Sequence, residues 1–599
     1  MSTSKSAGLE PGPAQSGPYT TPTKRAAFAS SAEAGPSRAR PAGASPAYSS
    51  RRHSLYGIED RVVIDPGSRI WKVGFSGEPE PRAVFFAQDV ASSDRTGATE
   101  AWDLDLESMM GVNGSRSEGD RLVGARIVKK LRDTYVKHLL ADSKARKVII
   151  LENTFLPNYV KEHIASALFD NLQVPSVSFT SSSLLALVAC GKITGLVVDA
   201  GWLETTITPV YHSRPLYTMS RSTPLAGRKL HLHLRNLLHH HAVYIPPPSS
   251  MSTIRSRERI EGVPLSILTD QVVERVLTEG CFVGGIVVDN GSEQDVAIEV
   301  DESEADDVAR SEEEKSRFRR AKEEKRRYAH TSSAKDMSFV VSAPVGSARD
   351  MGPGSIIVPG WIRERAAEIL FNDDDEAEDQ SIPRIILACL LKLPIDLRAS
   401  MFSSILVIGG TPSLPGFIPR LRIALLHHLL PPPAGSEDPT APRSPLNTPA
   451  QRMEEVAIWK KRSKDEPYQT LYGLSGRLSI LNDPAPLDGD EGNRGGRAPR
   501  WTPGLISWVG GSLAGSLKTS GPEMTRETYD TFLSVSSSRG EAYREELEAA
   551  EVEVAALAGV SVDQLGVGEA LNDVGHLGRK RGWRDGVGLL GDWSRSVKA

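Results

Sequence analysis

Two short apolar runs, each ending in the same turn pattern, constrain this chain more than any other feature. Val62-Val63-Ile64 leads into Asp65-Pro66-Gly67-Ser68, and Leu196-Val197-Val198 leads into Asp199-Ala200-Gly201, 134 residues further on. Aliphatic, β-branched runs of this length read as buried strands, and Asp-x-Gly closes each into a turn. A glycine turn lets backbone N–H groups approach an anion, and an aspartate at each turn can hold a hydrated divalent cation. Two such hairpins facing each other would clamp the phosphates of a nucleotide. Trp71 to Phe75 reads as the strand returning from the first turn. Lys72 on it can reach the same phosphates as a point charge.

The stretch between the two turns alternates between the two periodicities. Val128, Leu131, Tyr135 and Leu139 mark a helix face, Val148 to Leu151 a buried strand, and Val160, Ile164 and Leu168 a second helix. A short strand after Pro175 and a helix near Ser183–Ala189 follow. Strands alternating with helices predict an α/β body. The 599 residues would allow three to five domains, or one large two-lobed unit. The pattern of interruptions favours a single interrupted fold.

Those interruptions are compositional. Residues 1–56 are rich in Pro, Ser, Ala, Gly and Arg and lack periodic apolar residues, which predicts a disordered tail; Ser54 beside Arg51 and Arg52 would suit a basic-directed kinase. Residues 88–120 read as a loop or small subdomain. Residues 293–308 carry eight acidic side chains and 310–327 carry nine basic ones, a pattern expected of a solvated helix or a disordered insertion. The insertions expected in the second half span 290–340, 373–380, 431–455 and 482–500, and 540–599 reads as an extension.

Several function classes drop out. No apolar run approaches the length needed to span a bilayer, and the first residues lack the apolar core of a signal peptide. A formal net charge of −5 argues against nucleic-acid binding by bulk charge. Cys190, Cys281 and Cys389 are too widely spaced for a metal pair or a disulfide framework and read as buried apolar residues of a cytosolic or nuclear protein. A third Asp-x-Gly, Asp289-Asn290-Gly291, runs straight into the acidic block and reads as a decoy, as does Gly586-Val587-Gly588-Leu589-Leu590-Gly591 near the end of the chain. His231, His233 and His239-His240-His241 lack a neighbouring carboxylate or cysteine, so a packed or solvated helix face is expected rather than a metal site.

At this point the residues resemble a known family. Val62 to Phe85 (VVIDPGSRIWKVGFSGEPEPRAVF) is similar to the first phosphate loop of the actin superfamily, and Gly195 to Gly201 to its second. The likeness continues through Pro224 to Leu230, Gly360 to Phe371, the adenosine-type loop Ile408 to Phe417, Ser507 to Ser512, and Glu527-Thr528-Tyr529-Asp530. These blocks occur in family order. The resemblance implies an actin-like fold of two α/β lobes around a nucleotide cleft. The first lobe would comprise 57–189 and 506–599, and the second 190–505. It also implies ATP or ADP, with Mg, as the ligand, held by Asp65, Gly67, Ser68, Lys72, Asp199, Gly201, Thr205, Gly409, Gly410 and Thr411; whether the cleft is filled stays open.

The departures from the family pattern carry equal weight. Arg69 stands where the first loop has a second glycine, and Trp202-Leu203 replace an Asp-Gly pair in the second. Ser182 aligns with the glutamine that positions the attacking water. Glu274, Leu277 and Thr278 replace the nucleoside contacts, and Gly504 replaces a lysine beside the adenine. Catalysis is therefore expected to be lost. Within the superfamily the chain resembles the divergent class of actin-related protein 10, fungal members above all. That resemblance implies a cytoplasmic cytoskeletal subunit capping the pointed end of the dynactin minifilament, touching actin-related filament subunits and pointed-end adaptors and, through them, dynein and microtubules. The rivals are a nuclear actin-related subunit of a chromatin-remodelling complex and an active actin-fold ATPase.

Overall fold

The computed structural model describes residues 61–87, 118–247, 259–286, 312–342, 353–372, 380–429, 468–483 and 502–531. The readings of the 1–56 tail, Ser54, the Asp289 decoy, the glycine motif at 586–591 and the 540–599 extension all fall outside these residues.

Strands β1 (Val62–Pro66) and β2 (Ile70–Phe75) form a hairpin, followed by β3 (Ala83–Phe86), α1 (Glu118–Asp133), β4 (Val148–Glu152), α2 (Asn158–Ser166), β5 (Ser176–Ser181) and α3 (Ser182–Ala189). Next come β6 (Gly195–Ala200), β7 (Thr205–Tyr211), β8 (Arg214–Pro215), β9 (Arg221–Thr223), α4 (Gly227–His241), β10 (Val243–Ile245), β11 (Ile260–Glu261) and α5 (Asp270–Gly280). The remainder comprises α6 (Glu312–Tyr328), β12 (Met337–Val341), β13 (Gly354–Val358), α7 (Gly360–Arg365), α8 (Ile382–Lys392), α9 (Ile395–Phe402), β14 (Ile405–Ile408), α10 (Phe417–Leu429), α11 (Ile506–Ser516) and β15 (Met524–Thr525).

The strands form three sheets. The first lobe holds a six-stranded sheet in the order β15-β5-β4-β1-β2-β3, with β1, β4 and β5 parallel. The second lobe holds β14-β6-β7-β8, with β9 also on β7, and the smaller sheet β11-β10-β13-β12. In both lobes the strand that ends in Asp-x-Gly is central, with every residue of Val62–Ile64 and Leu196–Val198 fully buried. A strand covered on both faces must be apolar throughout, which is why these runs do not alternate.

Helix α11 joins the end of the described chain to its beginning. It crosses α3 with backbones touching: a Cβ on Gly510 would lie 1.9 Å from the Leu185 carbonyl oxygen. Trp508, fully buried, donates its indole N–H to the Val63 carbonyl at 3.2 Å.

Three expectations from the sequence need correction. Helix α1 begins at Glu118, inside the stretch read as a loop to residue 120. Asn482, read as the first residue of an insertion, belongs to the body: its side-chain amide accepts from the Val407 N–H at 3.2 Å and donates to the Val407 carbonyl at 2.7 Å, closing the edge of β14. The 290–340 segment contains β12, which pairs with β13 along its length and buries Phe339 and Val341, and α6, which is docked rather than solvated. Its sequence is so charged that the buried minority, Ala321 and Tyr328, is hard to see.

Candidate functional site

The two Asp-x-Gly turns and the loop after β14 converge at one place. Asp65 and Lys72 sit opposite each other across the β1–β2 hairpin, so their side chains meet in an ion pair at 2.6 Å. The Gly67 N–H folds back onto the Asp65 carbonyl at 3.2 Å, and a Cβ there would lie 2.3 Å from the Ile70 oxygen. Only glycine fits that turn. Ser68 beside it is partly exposed.

From the second lobe, β6 delivers Asp199. Burial, reinforced by the Asp65 charge and opposed by Lys72, pushes its carboxyl up to about 6. Burial pushes nearby Glu204 up to about 7, against a hydrogen bond from Ser222. Gly409, at φ +103°, lets the loop after β14 lie on the end of β6, where a Cβ would meet the Ala200 oxygen at 2.2 Å. Gly410 borders open space, and Thr411 donates its hydroxyl to the Gly201 carbonyl at 2.9 Å. Thr205 stands apart: fully buried, it donates its hydroxyl to the Leu225 carbonyl at 2.7 Å, a bond within the fold rather than toward the cleft.

The side chains that fill this convergence are those at which the chain departs from the family pattern. Arg69 is buried at 8% side-chain exposure and donates to Glu274 Oε2 on α5 at 2.9 Å. Its guanidinium carbon lies 3.6 Å from the centre of the Trp202 ring and 5.8 Å from that of Phe86. Trp202 in turn meets the edge of His231 at 5.5 Å. Burial, then the Arg69 charge, lowers the His231 imidazole to about 4, against its bond to the Asp270 carbonyl. Leu203, buried at 5%, packs in the first-lobe core with Val62, Trp71 and Phe75, although it follows a second-lobe strand. The signal for this arrangement was concerted replacement, with a cation, an anion and two large apolar residues all entering one cleft.

The remaining departures are inert. Ser182 is buried at the start of α3, and its hydroxyl makes no hydrogen bond among the described residues. Leu277 belongs to the second-lobe core, and the Thr278 hydroxyl donates back to the Glu274 carbonyl of its own helix at 2.9 Å. Gly504 lies against Gly409, where even a Cβ would be 3.5 Å from the Gly409 oxygen.

Asp65 and Asp199, one at each turn, lie close enough for the Asp65 charge to raise Asp199, whereas the Gly67, Gly201 and Gly409 N–H groups are bonded within the fold to the Asp65, Glu204 and Pro503 carbonyls at 3.2, 3.1 and 3.3 Å. Lys72 is paired with Asp65, and the Trp202 indole directly follows the second turn, against Arg69 of the first. Among the described residues no group of three His, Cys, Asp or Glu is placed to hold a metal ion. The three cysteines are unpaired, and burial raises their thiols to about 11 at Cys190 and about 12 at Cys281 and Cys389, leaving them protonated.

The histidines have a packing role. His233 meets Glu324 at 3.0 Å, His241 donates to the Ala321 carbonyl at 2.9 Å, and Asn236 donates to the Arg317 carbonyl at 3.1 Å. His240 meets Phe318 edge-on at 5.2 Å. These contacts dock α6 on α4. His239 instead bonds the Val263 carbonyl at 2.8 Å.

Comparison with known proteins agrees with this geometry. Residues 59–434 match the family model described as actin. The chain is similar to actin-related protein 10 of Dictyostelium discoideum, 23% identical over 499 residues that cover 78% of this chain and 85% of the relative. It is also similar to actin-related protein 4 of Arabidopsis thaliana, 22% identical over 417 residues, covering 62% and 86%. No described helix is long and apolar enough to cross a membrane.

Proposed function

Since the chain belongs to the actin family, we propose that it is a non-catalytic actin-related subunit that caps the pointed end of the dynactin minifilament and so supports dynein-driven transport. One observation carries the non-catalytic part: Trp202, stacked by Arg69 at 3.6 Å, stands between the two Asp-x-Gly turns where phosphate chemistry would need a small residue or a carboxylate. Ser182 is a poor substitute for a water-positioning group, since a buried hydroxyl lacks both the reach and the second polar atom. In-line attack by water on a phosphoryl group depends almost entirely on such positioning and on charge stabilisation.

The pointed-end part rests on the likeness to actin-related protein 10 across most of both chains. In this reading one end of the molecule offers an actin-like surface to the last filament subunit. The other end, altered where α6 docks on α4, prevents further addition and receives adaptor subunits. Any ATP or ADP is then a bound ligand rather than a substrate, and the working compartment is the cytoplasm. A second reading, a nuclear actin-related subunit of a chromatin remodeller, draws on the likeness to the plant actin-related protein 4.

The test is affinity purification of the tagged chain from its own cells with mass spectrometry of what it retains. Dynactin subunits and dynein support the pointed-end reading, and remodeller subunits replace it with the nuclear one. ATP hydrolysis by the purified chain at an actin-like rate would overturn the non-catalytic part under either outcome.

A further inference from the structure

Side chains that depart from the family pattern connect the two sides of the cleft. Arg69 belongs to the β1–β2 turn of the first lobe and Glu274 to α5 of the second, 205 residues apart in sequence and 2.9 Å apart in space. Trp202 and Leu203 leave β6 of the second lobe and pack against the first-lobe core. The guanidinium lies over that indole while bonding the carboxylate, so one side chain engages two separate elements of the other lobe. With Arg69 8% and Glu274 25% exposed, the pair is shielded from water and salt far more than a surface pair.

We propose that Arg69, Glu274, Trp202 and Leu203 form a built-in tie that holds the two lobes closed without a nucleotide. The inference builds on the non-catalytic reading and goes beyond it. In a cleft that closes on its ligand, polyphosphate and cation supply the charges that bridge the lobes. Here the chain supplies both charges and the apolar contact itself. A nucleoside polyphosphate then competes with Glu274 for the Arg69 guanidinium, so it enters by breaking the tie. A ligand shifts an equilibrium only by its difference in affinity for the two states. A ligand that must break the tie gives up part of that difference, and closure becomes independent of it.

The test uses the full-length chain. Lobe closure is read by small-angle scattering and by hydrogen exchange at β6 and the β1–β2 turn, with thermal melting alongside, each with EDTA, with Mg-ATP and with neither. The expected result is that the natural chain is already closed in buffer, with the same radius and exchange with and without EDTA, and that Mg-ATP neither shrinks it nor protects these elements further. Glu274→Gln and Arg69→Gly should each open the cleft in buffer, and the double variant should open it no further than Arg69→Gly alone. Closure of the natural chain only with Mg-ATP, or its opening by EDTA, overturns the proposal, as do additive effects of the two substitutions. Should Arg69→Gly fail to fold, the double variant Arg69→Gln with Glu274→Gln carries the test, because it removes both charges together and leaves neither buried without its partner. Hydrolysis of ATP by the natural chain would sink the non-catalytic reading while leaving these closure measurements to decide the tie separately.

Discussion

Arg69 lies over the ring of Trp202 with its guanidinium carbon 3.6 Å from the ring centre, so that the two Asp-x-Gly turns of the cleft touch through side chains. Stacking of this kind needs a flat cation. A lysine at the same position would keep the charge but lose both the planar face and the directed bond to Glu274. Partly desolvated cation–π contacts are worth about 0.5–2 kcal/mol, and a charge-assisted hydrogen bond about 1.5–3 kcal/mol. Arg69→Lys should therefore destabilise the chain by about 1–2 kcal/mol in urea unfolding, whereas Trp202→Phe, which keeps an aromatic face, should cost less. Equal stability of the lysine variant and the natural chain would mean that the stack contributes nothing.

Two groups in the cleft give pH dependences of opposite sign. His231 is lowered from 6.5 to about 4, so the unfolded chain binds its proton first and stability is lost as pH falls through that window. Asp199 is raised from 3.8 to about 6, so the folded chain binds its proton first and stability is lost as pH rises from about 3.8 to about 6. Between pH 4 and 6 the two contributions oppose each other. Asp199→Asn removes one of them: the variant should melt higher than the natural chain above pH 6, and its melting temperature should fall more steeply on acidification. His231→Gln should lose less melting temperature than the natural chain on acidification below about pH 6. Parallel profiles for all three proteins would show that neither group titrates as its surroundings dictate.

The close crossing of α11 over α3 predicts a severe effect from a single methyl group. At Gly510 a Cβ would sit 1.9 Å from the Leu185 carbonyl oxygen, and a backbone atom cannot swing aside as a side-chain tip can. Gly510→Ala should cost more than about 3 kcal/mol, at the upper end for overpacking. Gly473, where an added Cβ meets nothing within 4 Å, is the control, and Gly473→Ala should be neutral or slightly stabilising. A Gly510→Ala variant with the natural melting temperature would mean that the two helices are not in backbone contact.

What the sequence disclosed and what it hid follow from the same physics. Central strands such as Val62–Ile64 and Leu196–Val198 are legible because a strand buried on both faces has no freedom to be polar. The Asp-x-Gly turns are legible because a close approach of two backbones admits only glycine at Gly67. The role of Arg69 was hidden because it depends on Glu274, and no local periodicity links residues that distant. Thr205 is ambiguous for a related reason: a threonine beside a phosphate-type loop looks the same in sequence whether its hydroxyl faces a ligand or, as in this fold, the Leu225 carbonyl. The role of α6 was masked by composition. Its docking contacts include backbone carbonyls accepting from His241 and Asn236, and such acceptors leave no trace in side-chain patterning.

That docking yields the last prediction. Ala321 is fully buried against α4, whereas its neighbour Lys322 is exposed. A glutamate at position 321 would force a long charged side chain into the space that a fully buried methyl group occupies between the two helices, and the steric and desolvation cost exceeds what the helix contact returns. The cheapest response is release of α6 while the rest of the lobe stays folded, because local opening costs less than global unfolding. Ala321→Glu should therefore speed hydrogen exchange and tryptic cleavage across 312–328 while barely moving the main melting transition. Lys322→Glu should change neither. Release of α6 would also alter the surface assigned above to the blocked end of the molecule. A variant in which the helix exchanges fast but the purified partners are unchanged would show that α6 does not contribute to that surface. Unaltered exchange in Ala321→Glu would mean that α6 is solvated after all, as its charge pattern alone suggests.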